Sequence, residues 1–593
     1  MQQRCKKDLS IIREPIANKR TPVRNTKISI IMPVYNTDIR WLKAALDSVY
    51  NQYYSYWNLF IVDDGSTRQE TLNYLHQIID QRIETLFLPD NRGIASASNA
   101  ALARVTSEFV CFLDHDDLLK PEALQEIAQV INQSNPDIIY SDEEYIKPNG
   151  AHYSAHFKPD YSPDLLLATN YICHLTAYRY SLIHQVGGLR EGYDGSQDHD
   201  LLLRCLERTN KISHIPKILY QWRRIPGSTA SHFSNKHYAW EVGRLVVANA
   251  LKRRCIFGSV SLGKHAGTYR IQRTIHNNPT VSIIIPFRDL SEVLKRCIDS
   301  ILTKTEYPFF EIIGVSNQSQ EPATFALIAE YQKNPQVSFI HYEHDFNFSA
   351  INNFAVNLAQ GKHILLLNND TEVINPGWLA ALLENSQRPE VGAVGAKLYY
   401  PNHRIQHAGV IVGIGGSAGH AHKCLDWQDP GYFNRLDVIQ NVSAVTGACL
   451  MVKKEIYKAL GGLDPINLPI SFNDIDFCLR IREQGYLNVF TPYCELYHYE
   501  SRSRRFDKTS IRKQQFYRER EYLRARHSAI FKNGDPYYNP NLPLNCETFG
   551  LRWRYLRPLA FELRNSWQTH HSLAKAIGVI GRGLLKLAYH ARK

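Results

Sequence analysis

Between Lys27 and Val62 the chain alternates short apolar runs with amphipathic stretches. KISIIMPVYN reads as a buried strand closing at Pro33, the stretch through Ala44 to Val49 as a helix, and Leu59 to Val62 as a second strand ending in DDGS. Strands that alternate with helices predict a parallel sheet. Phe109 to Leu113 is a further short strand, and it delivers Asp114, His115, Asp116 and Asp117 to the point where the strand should stop. Unpaired buried carboxylates are costly, so the apolar run and the acidic cluster cannot share one buried strand. Tyr238 to Arg254 has helical periodicity, and Tyr269 to Thr274 reads as a short strand.

The same order of events returns in the second half. SIIMP at Ser29 to Pro33 is echoed by SIIIP at Ser282 to Pro286, and FLDHDD by LLNNDT at Leu366 to Thr371. Gly187, Gly188 and Leu189 return as Gly461, Gly462 and Leu463; Asp198 and Asp200 return as Asp474 and Asp476. Two related α/β domains in tandem follow from the repeat. The expected divisions are a basic tail over 1–26, a first domain over 27–235, a helix-and-strand connector over 236–278, a second domain over 279–505 and a basic helical region over 506–593.

Composition narrows this reading. A chain of 593 residues suggests roughly three or four units, and 44% hydrophobic with 21% charged residues is globular rather than disordered. The formal net charge of +12 points to an anionic partner: nucleic acid, a membrane surface or phosphorylated small molecules. The eleven Cys are scattered without a CxxC pair, which indicates neither a disulfide framework nor a zinc site and fits a reducing compartment. The basic N-terminus lacks the apolar core of a secretory signal, and no run of about twenty apolar residues occurs. Between Lys575 and Lys593, basic residues fall on one helical face and Ile577, Ile580, Leu584 and Leu587 opposite. Such a helix suits either an anionic bilayer or the protein's own core.

Three carboxylates within four positions repel one another unless a cation lies between them. Asp114, Asp116 and Asp117 therefore fit a divalent-metal site at the C-terminal edge of a parallel sheet, or else a solvated acidic turn capping the next helix. Asp63 and Asp64 also end a strand, where a carboxylate can accept from a base N–H and Gly65 permits a tight turn. Asp198 could act as a base or as the N-cap of LLLRCLERT. His407, His420 and His422 lie in a Gly-rich stretch that reads as an acceptor-binding or disordered loop. Asp142, Glu143 and Glu144 read as acceptor contacts or solvated acids.

Taken in order, PVYN, DDGS, NRGIASASN, LDHDD and QDHDL resemble family-2 glycosyltransferases of the GT-A fold, a Rossmann-like nucleotide-diphospho-sugar transferase architecture. SIIIP, LNND, TGACLMV and NDIDFCLR resemble the same family in the second copy. FKPDYSPDLL, NYICHL, WRRIPGSTA, RIQHAGV, AGHAH and YHYESRSRR look like bacterial enzymes building O-antigen or rhamnose-containing polysaccharides.

The resemblance implies Mg²⁺ or Mn²⁺ at Asp116 in the first domain and at Asp370 in the second, with His498 as an extra ligand there. It implies donor contacts from Pro33, Tyr35, Asp64, Asp114, Arg223, Asn317 and Asn368. Asp198 and Asp474 would be the general bases of inverting transfer. The departure is SNQS at Ser316 to Ser319, where Asn317 replaces the carboxylate of Asp64. The expectation is a bifunctional enzyme on the cytoplasmic face of a bacterial membrane. It would use dTDP- or UDP-linked sugars and a lipid-linked glycan acceptor, and would not bind nucleic acid. The rivals are one catalytic domain with an inactive acceptor-binding domain, and a basic nucleotide- or nucleic-acid-binding protein.

Overall fold

The computed structural model describes residues 25–225, 237–500 and 510–550. Most of the expected N-terminal tail and the amphipathic stretch Lys575 to Lys593 lie outside those residues. So do parts of WRRIPGSTA and YHYESRSRR.

The first sheet is built around Ile28–Val34, every residue of which is buried. Trp57–Asp63 runs parallel on one side, with Pro33 opposite Val62, and Phe109–Phe112 runs parallel on the other. The strand order is 83–87, 57–63, 28–34, 109–112, 176–179, 138–146, 212–223, 118–119. The second sheet repeats it strand for strand: 337–342, 310–317, 281–287, 363–367, 449–453, 391–399, 487–498, 371–373. Two GT-A domains in tandem are thus present in the topology as well as in the motifs. Strand-end positions match as the repeat requires, since Ile28 pairs with Phe109 and Val281 with His363.

Local sequence explains the helices that cover these sheets. Asp38 accepts from the N–H of Arg40 and starts Ile39–Tyr50, whose buried positions Leu42, Ala45, Leu46 and Val49 fall on one stripe. In the second domain Ser291–Lys304 buries Leu294, Cys297, Ile298 and Ile301 in the same way. Each sheet has an apolar core on both faces, which is why its central strands are continuously hydrophobic.

The connector is His237–Arg253 followed by the hairpin Gly258–Leu262 and Tyr269–Arg273. The domains are locked by charge as well as packing. The buried Asp164 carboxylate meets Arg273 at 3.2 Å and Arg388 at 2.7 Å, and accepts from Asn441 at 2.8 Å. Burial alone would push that carboxyl up, but the two guanidinium groups hold it below its usual range. Segment 535–550 bridges the domains: Tyr538, Leu542 and Phe549 pack with Phe157 of the first and Ile411 and Ile414 of the second. Asn539 donates to Asp142 at 2.9 Å.

Candidate active sites

In the first domain the acidic cluster is a hydrogen-bonded turn immediately after its strand. Leu113 N–H still donates to Ile31 at 3.0 Å, and Asp117 N–H turns back to the Asp114 carbonyl at 3.1 Å. Asp117 is fully buried; it accepts from the Tyr220 hydroxyl and from Arg223 N–H, each at 2.7 Å. Asp117 therefore shapes the turn, while Asp114 and Asp116 are partly open. Burial, together with the charge of Asp114, pushes the Asp116 carboxyl up. Arg223 braces the turn: Nε donates to the Asp116 carbonyl at 2.9 Å, Nη1 to Pro148 at 3.2 Å, and the guanidinium covers Trp41.

His174, which the motif reading passed over, joins this cluster. Its Nε2 lies 4.0 Å from Asp114 Oδ2, and its ring stacks on Tyr220 and meets the edge of Trp222. One ligand atom each from Asp114, Asp117 and His174 lies within 4.8 Å of the others. Asp116 is not among those three. Two carboxylates and an imidazole are a donor set that fits a divalent cation, so the residues present suit Mg²⁺ or Mn²⁺.

The second domain assembles its equivalent differently. Asp370 is buried, and its Oδ1 lies 3.1 Å from His498 Nε2, with the Asn368 amide nitrogen 3.3 Å from that same ring nitrogen. His498 sits where the first domain has Trp222. Strand pairing sets Ala177 against Cys111 and Met451 against Leu365, which aligns His174 with Ala448. Each domain thus brings an imidazole to its acidic turn from a different place in the repeat, His174 from the bend before Thr176–Arg179 and His498 from the end of Leu487–His498. His174 lies within NYICHL, a motif that the sequence singles out without indicating a ligand role for its His.

Asp198 and Asp474 both lie in the first turn of a helix, Gln197–Leu206 and Asn473–Glu483. The capping alternative for Asp198 is not what the structure has: position 196 precedes the helix, and Asp198 instead accepts from the Asn170 amide at 2.8 Å. Asp474 accepts from Gly447 N–H at 2.8 Å, and burial pushes its carboxyl up. Their neighbours Asp200 and Asp476 are structural. Each pairs with the Arg one turn on, and Arg204 donates to the carbonyls of Val186 and Gly188 as Arg480 does to Leu460 and Gly462.

Asp64 ends its strand buried, accepting from Arg92 N–H and Gly93 N–H at 2.9 Å each. Gly65 is required beside it: φ is +69°, and a Cβ would lie 2.6 Å from the Asp90 carbonyl carbon. Asn317 at the matching place donates to the carbonyls of Tyr342 and His344 at 3.0 and 2.8 Å. Its Oδ1 is buried with no partner, which leaves an acceptor where Asp64 has two occupied oxygens. Pro33 lines the first site and Tyr35 stands exposed just beyond it.

Two sequence expectations need correction. Asp142, Glu143 and Glu144 are not solvated acids after a strand but lie within Ile138–Ile146 and are buried. Glu143 is paired with Lys158 at 3.1 Å, and His214 meets Asp142 at 2.9 Å. The stretch holding His407, His420 and His422 is ordered: His407 and His420 share a 2.8 Å hydrogen bond on two short strands, and His422 stacks on Phe549.

A cavity of about 850 Å³ opens over the first site, with Asp114, Asp198, His174, Tyr145, Trp222 and Phe433 in its lining. The metal-type cluster and the helix-borne carboxylate therefore face one space.

The sequence profile of Glycosyl transferase family 2 matches residues 29–187 and 282–461. "Uncharacterized protein y4gI" of Sinorhizobium fredii is 44% identical over 539 residues, covering 89% of this chain and 59% of that one. "O-antigen biosynthesis protein RfbC" of Myxococcus xanthus is 37% identical over 540 residues, covering 89% and 41%. The chain thus spans about half the length of these curated relatives. The crystal structure of S. aureus TarS 1-349 in complex with UDP-GlcNAc is 22% identical, covers 38% of this chain and 66% of that one, and has a TM-score of 0.32. The profile matches both halves and more than half of the chain, and the chain belongs to Glycosyl transferase family 2: it is a glycosyltransferase with two GT-A domains in tandem.

Proposed function

We propose that each domain transfers a glycosyl unit from a nucleoside-diphosphate sugar to a growing cell-surface polysaccharide of the O-antigen or rhamnan kind. The donors are dTDP- or UDP-linked and the acceptor is a lipid-linked glycan at the cytoplasmic face of the membrane. The similarity to the Myxococcus O-antigen protein supports the polysaccharide setting. The observation that carries the reading is that Asp114 and Asp198 line a single cavity.

The first domain's chemistry follows from that placement. An acceptor hydroxyl gives its proton to Asp198 as its oxygen bonds to the anomeric carbon, and the bond from that carbon to the diphosphate oxygen breaks. Attack opposite the leaving group inverts the anomeric centre. Asp114, Asp117 and His174 would hold Mg²⁺ or Mn²⁺ in this domain, with Asp116 in the same turn, and Asp370 and His498 would hold it in the second; the ion would supply charge neutralisation for the leaving diphosphate. Asp474 takes the base role in the second domain, where its raised pKa makes it a stronger proton acceptor.

One observation favours a second reading, in which the second domain only holds the acceptor. Asn317 spends its amide N–H groups on two carbonyls and carries no negative charge, so the carboxylate that orders the Arg92–Gly93 backbone in the first domain has no counterpart. Incubation of the full chain with UDP-, dTDP- and GDP-sugars plus Mn²⁺ tests both readings through nucleotide release. Two separable activities support the bifunctional enzyme, and one activity unaffected by Asp474→Asn supports the single-site reading.

A further inference from the structure

The cavity over the first site is not closed by the first domain alone. Phe433 and Asn434, which belong to a loop of the second domain, line it, together with His265, Ala266 and Gly267 of the connector turn. This loop is fastened to the first domain: the Tyr432 hydroxyl accepts from Phe157 N–H at 2.7 Å and donates to the Ala155 carbonyl at 3.3 Å. Asp437 holds the connector turn through His265 Nε2 at 2.7 Å and Lys264 at 3.3 Å. The rim of the first site is therefore assembled by the second domain.

The ring of Phe433 extends an aromatic row that begins at the acidic turn. Trp222 stacks on Tyr145 at 5.4 Å and 24°, Tyr145 and Phe433 are offset-parallel at 6.5 Å and 16°, and Phe433 stacks on His156 at 3.7 Å and 15°. The stacked rings form a continuous apolar strip along the cavity lining, and Asp198 and Asn434 present hydrogen-bonding groups in the same space. An apolar strip framed by polar groups matches a pyranose, whose axial C–H bonds form an apolar patch and whose hydroxyls project from the ring edge. Phe433 (φ +49°) and Asn434 (φ +64°) also hold left-handed backbone, a conformation that costs a non-glycine residue energy.

We infer that Phe433 and Asn434 of the second domain form the acceptor-sugar subsite of the first domain's reaction, with a pyranose unit of the acceptor chain seated against the Trp222–Tyr145–Phe433 row. This rests on the first domain being a transferase, and it makes the second domain a specificity element of the first. Loss of the contact weakens acceptor binding without touching the groups that do the chemistry.

Saturation-transfer NMR on the full chain tests this directly, with methyl glycosides of rhamnose, glucose, galactose and N-acetylglucosamine and their disaccharides as probes. At least one probe is expected to bind. Phe433→Ala should weaken its binding 10-fold or more, Phe433→Tyr should restore it, and Trp427→Ala, in the same loop region but outside the cavity, should not alter it. Thermal unfolding of the variants separates a lost contact from a lost fold. No binding by any probe, or equal binding by the parent and a folded Phe433→Ala chain, overturns the inference. Binding is read without turnover, so a failure of the transferase reading shows separately, as absent nucleotide release with every donor.

Discussion

His498 Nε2 faces Asp370 Oδ1 at 3.1 Å because antiparallel pairing sets Thr371 opposite His498. The other ring nitrogen, Nδ1, lies 2.6 Å from Gln406 Oε1, an acceptor that fixes the ring with Nε2 turned to the carboxylate. Such an outer hydrogen bond is how proteins orient a metal-binding imidazole. Gln406→Ala should weaken Mn²⁺ binding at this site by about 10–100-fold, read by titration of the full chain with paramagnetic resonance detection. Unchanged affinity would remove His498 from the ligand set.

The twin pairs Asp200–Arg204 and Asp476–Arg480 fix the helix that carries each proposed base to the Gly-Gly turn preceding it. Each carboxylate is fully buried and keeps a further partner, Arg190 at Asp200 and Arg526 with His527 at Asp476, so truncation of the helix Arg removes one charged hydrogen bond and the donors to two turn carbonyls. Arg204→Ala and Arg480→Ala should each destabilise the chain by about 1.5–3 kcal/mol, measured by urea unfolding. A loss under about 1 kcal/mol, the range of a surface pair, would contradict this.

Asp64 organises the backbone at Arg92 and Gly93 by accepting both of their N–H groups. Asp64→Ala removes the acceptor of both part-exposed amides and should cost about 1 kcal/mol for each lost hydrogen bond. It should also weaken nucleotide binding, whereas Asp64→Asn should keep part of the fold stability. Calorimetry with the nucleoside diphosphate and thermal melts separate the two effects.

The helix Ser510–Arg526 is coupled to the second domain through a histidine that titrates. His527 bonds Asp476 and Glu483 at 2.8 Å each, with Arg526 and Arg480 also facing Asp476. Burial works against its charge, but the two carboxylates more than offset it, and its pKa is raised. A pKa raised above the unfolded value of about 6.5 gives stabilisation fully present below that pH and lost as pH rises through the folded value. The melting temperature should therefore fall on the alkaline side of about 6.5, and His527→Gln should flatten that dependence.

Much of this architecture was legible before any coordinates. Continuous apolar strands such as Ile28–Val34 announce a doubly covered parallel sheet, and a repeat of four motifs in the same order implies a repeat of topology. What stayed hidden depends on contacts between segments far apart in the chain. His174 reaches Asp114 only because the strand that follows it, Thr176–Arg179, lies beside Phe109–Phe112, and Phe433 reaches Tyr145 only because the domains dock. Asp142 and Glu143 looked solvated because their neutralising partners, His214 and Lys158, come from other elements. The roles of Asp198 and Asp200 were separable only once Arg204 was seen to claim the second.

The central claim is that two carboxylates, one in each domain, serve two transfer reactions. Product analysis of the full chain against Asp198→Asn and Asp474→Asn, with the donor panel and Mn²⁺, tests it most directly. Each single variant is expected to lose a different linkage by 10²-fold or more, about the least a positioned general base contributes, while the other linkage continues. A product identical to the parent's from either folded variant would contradict the account.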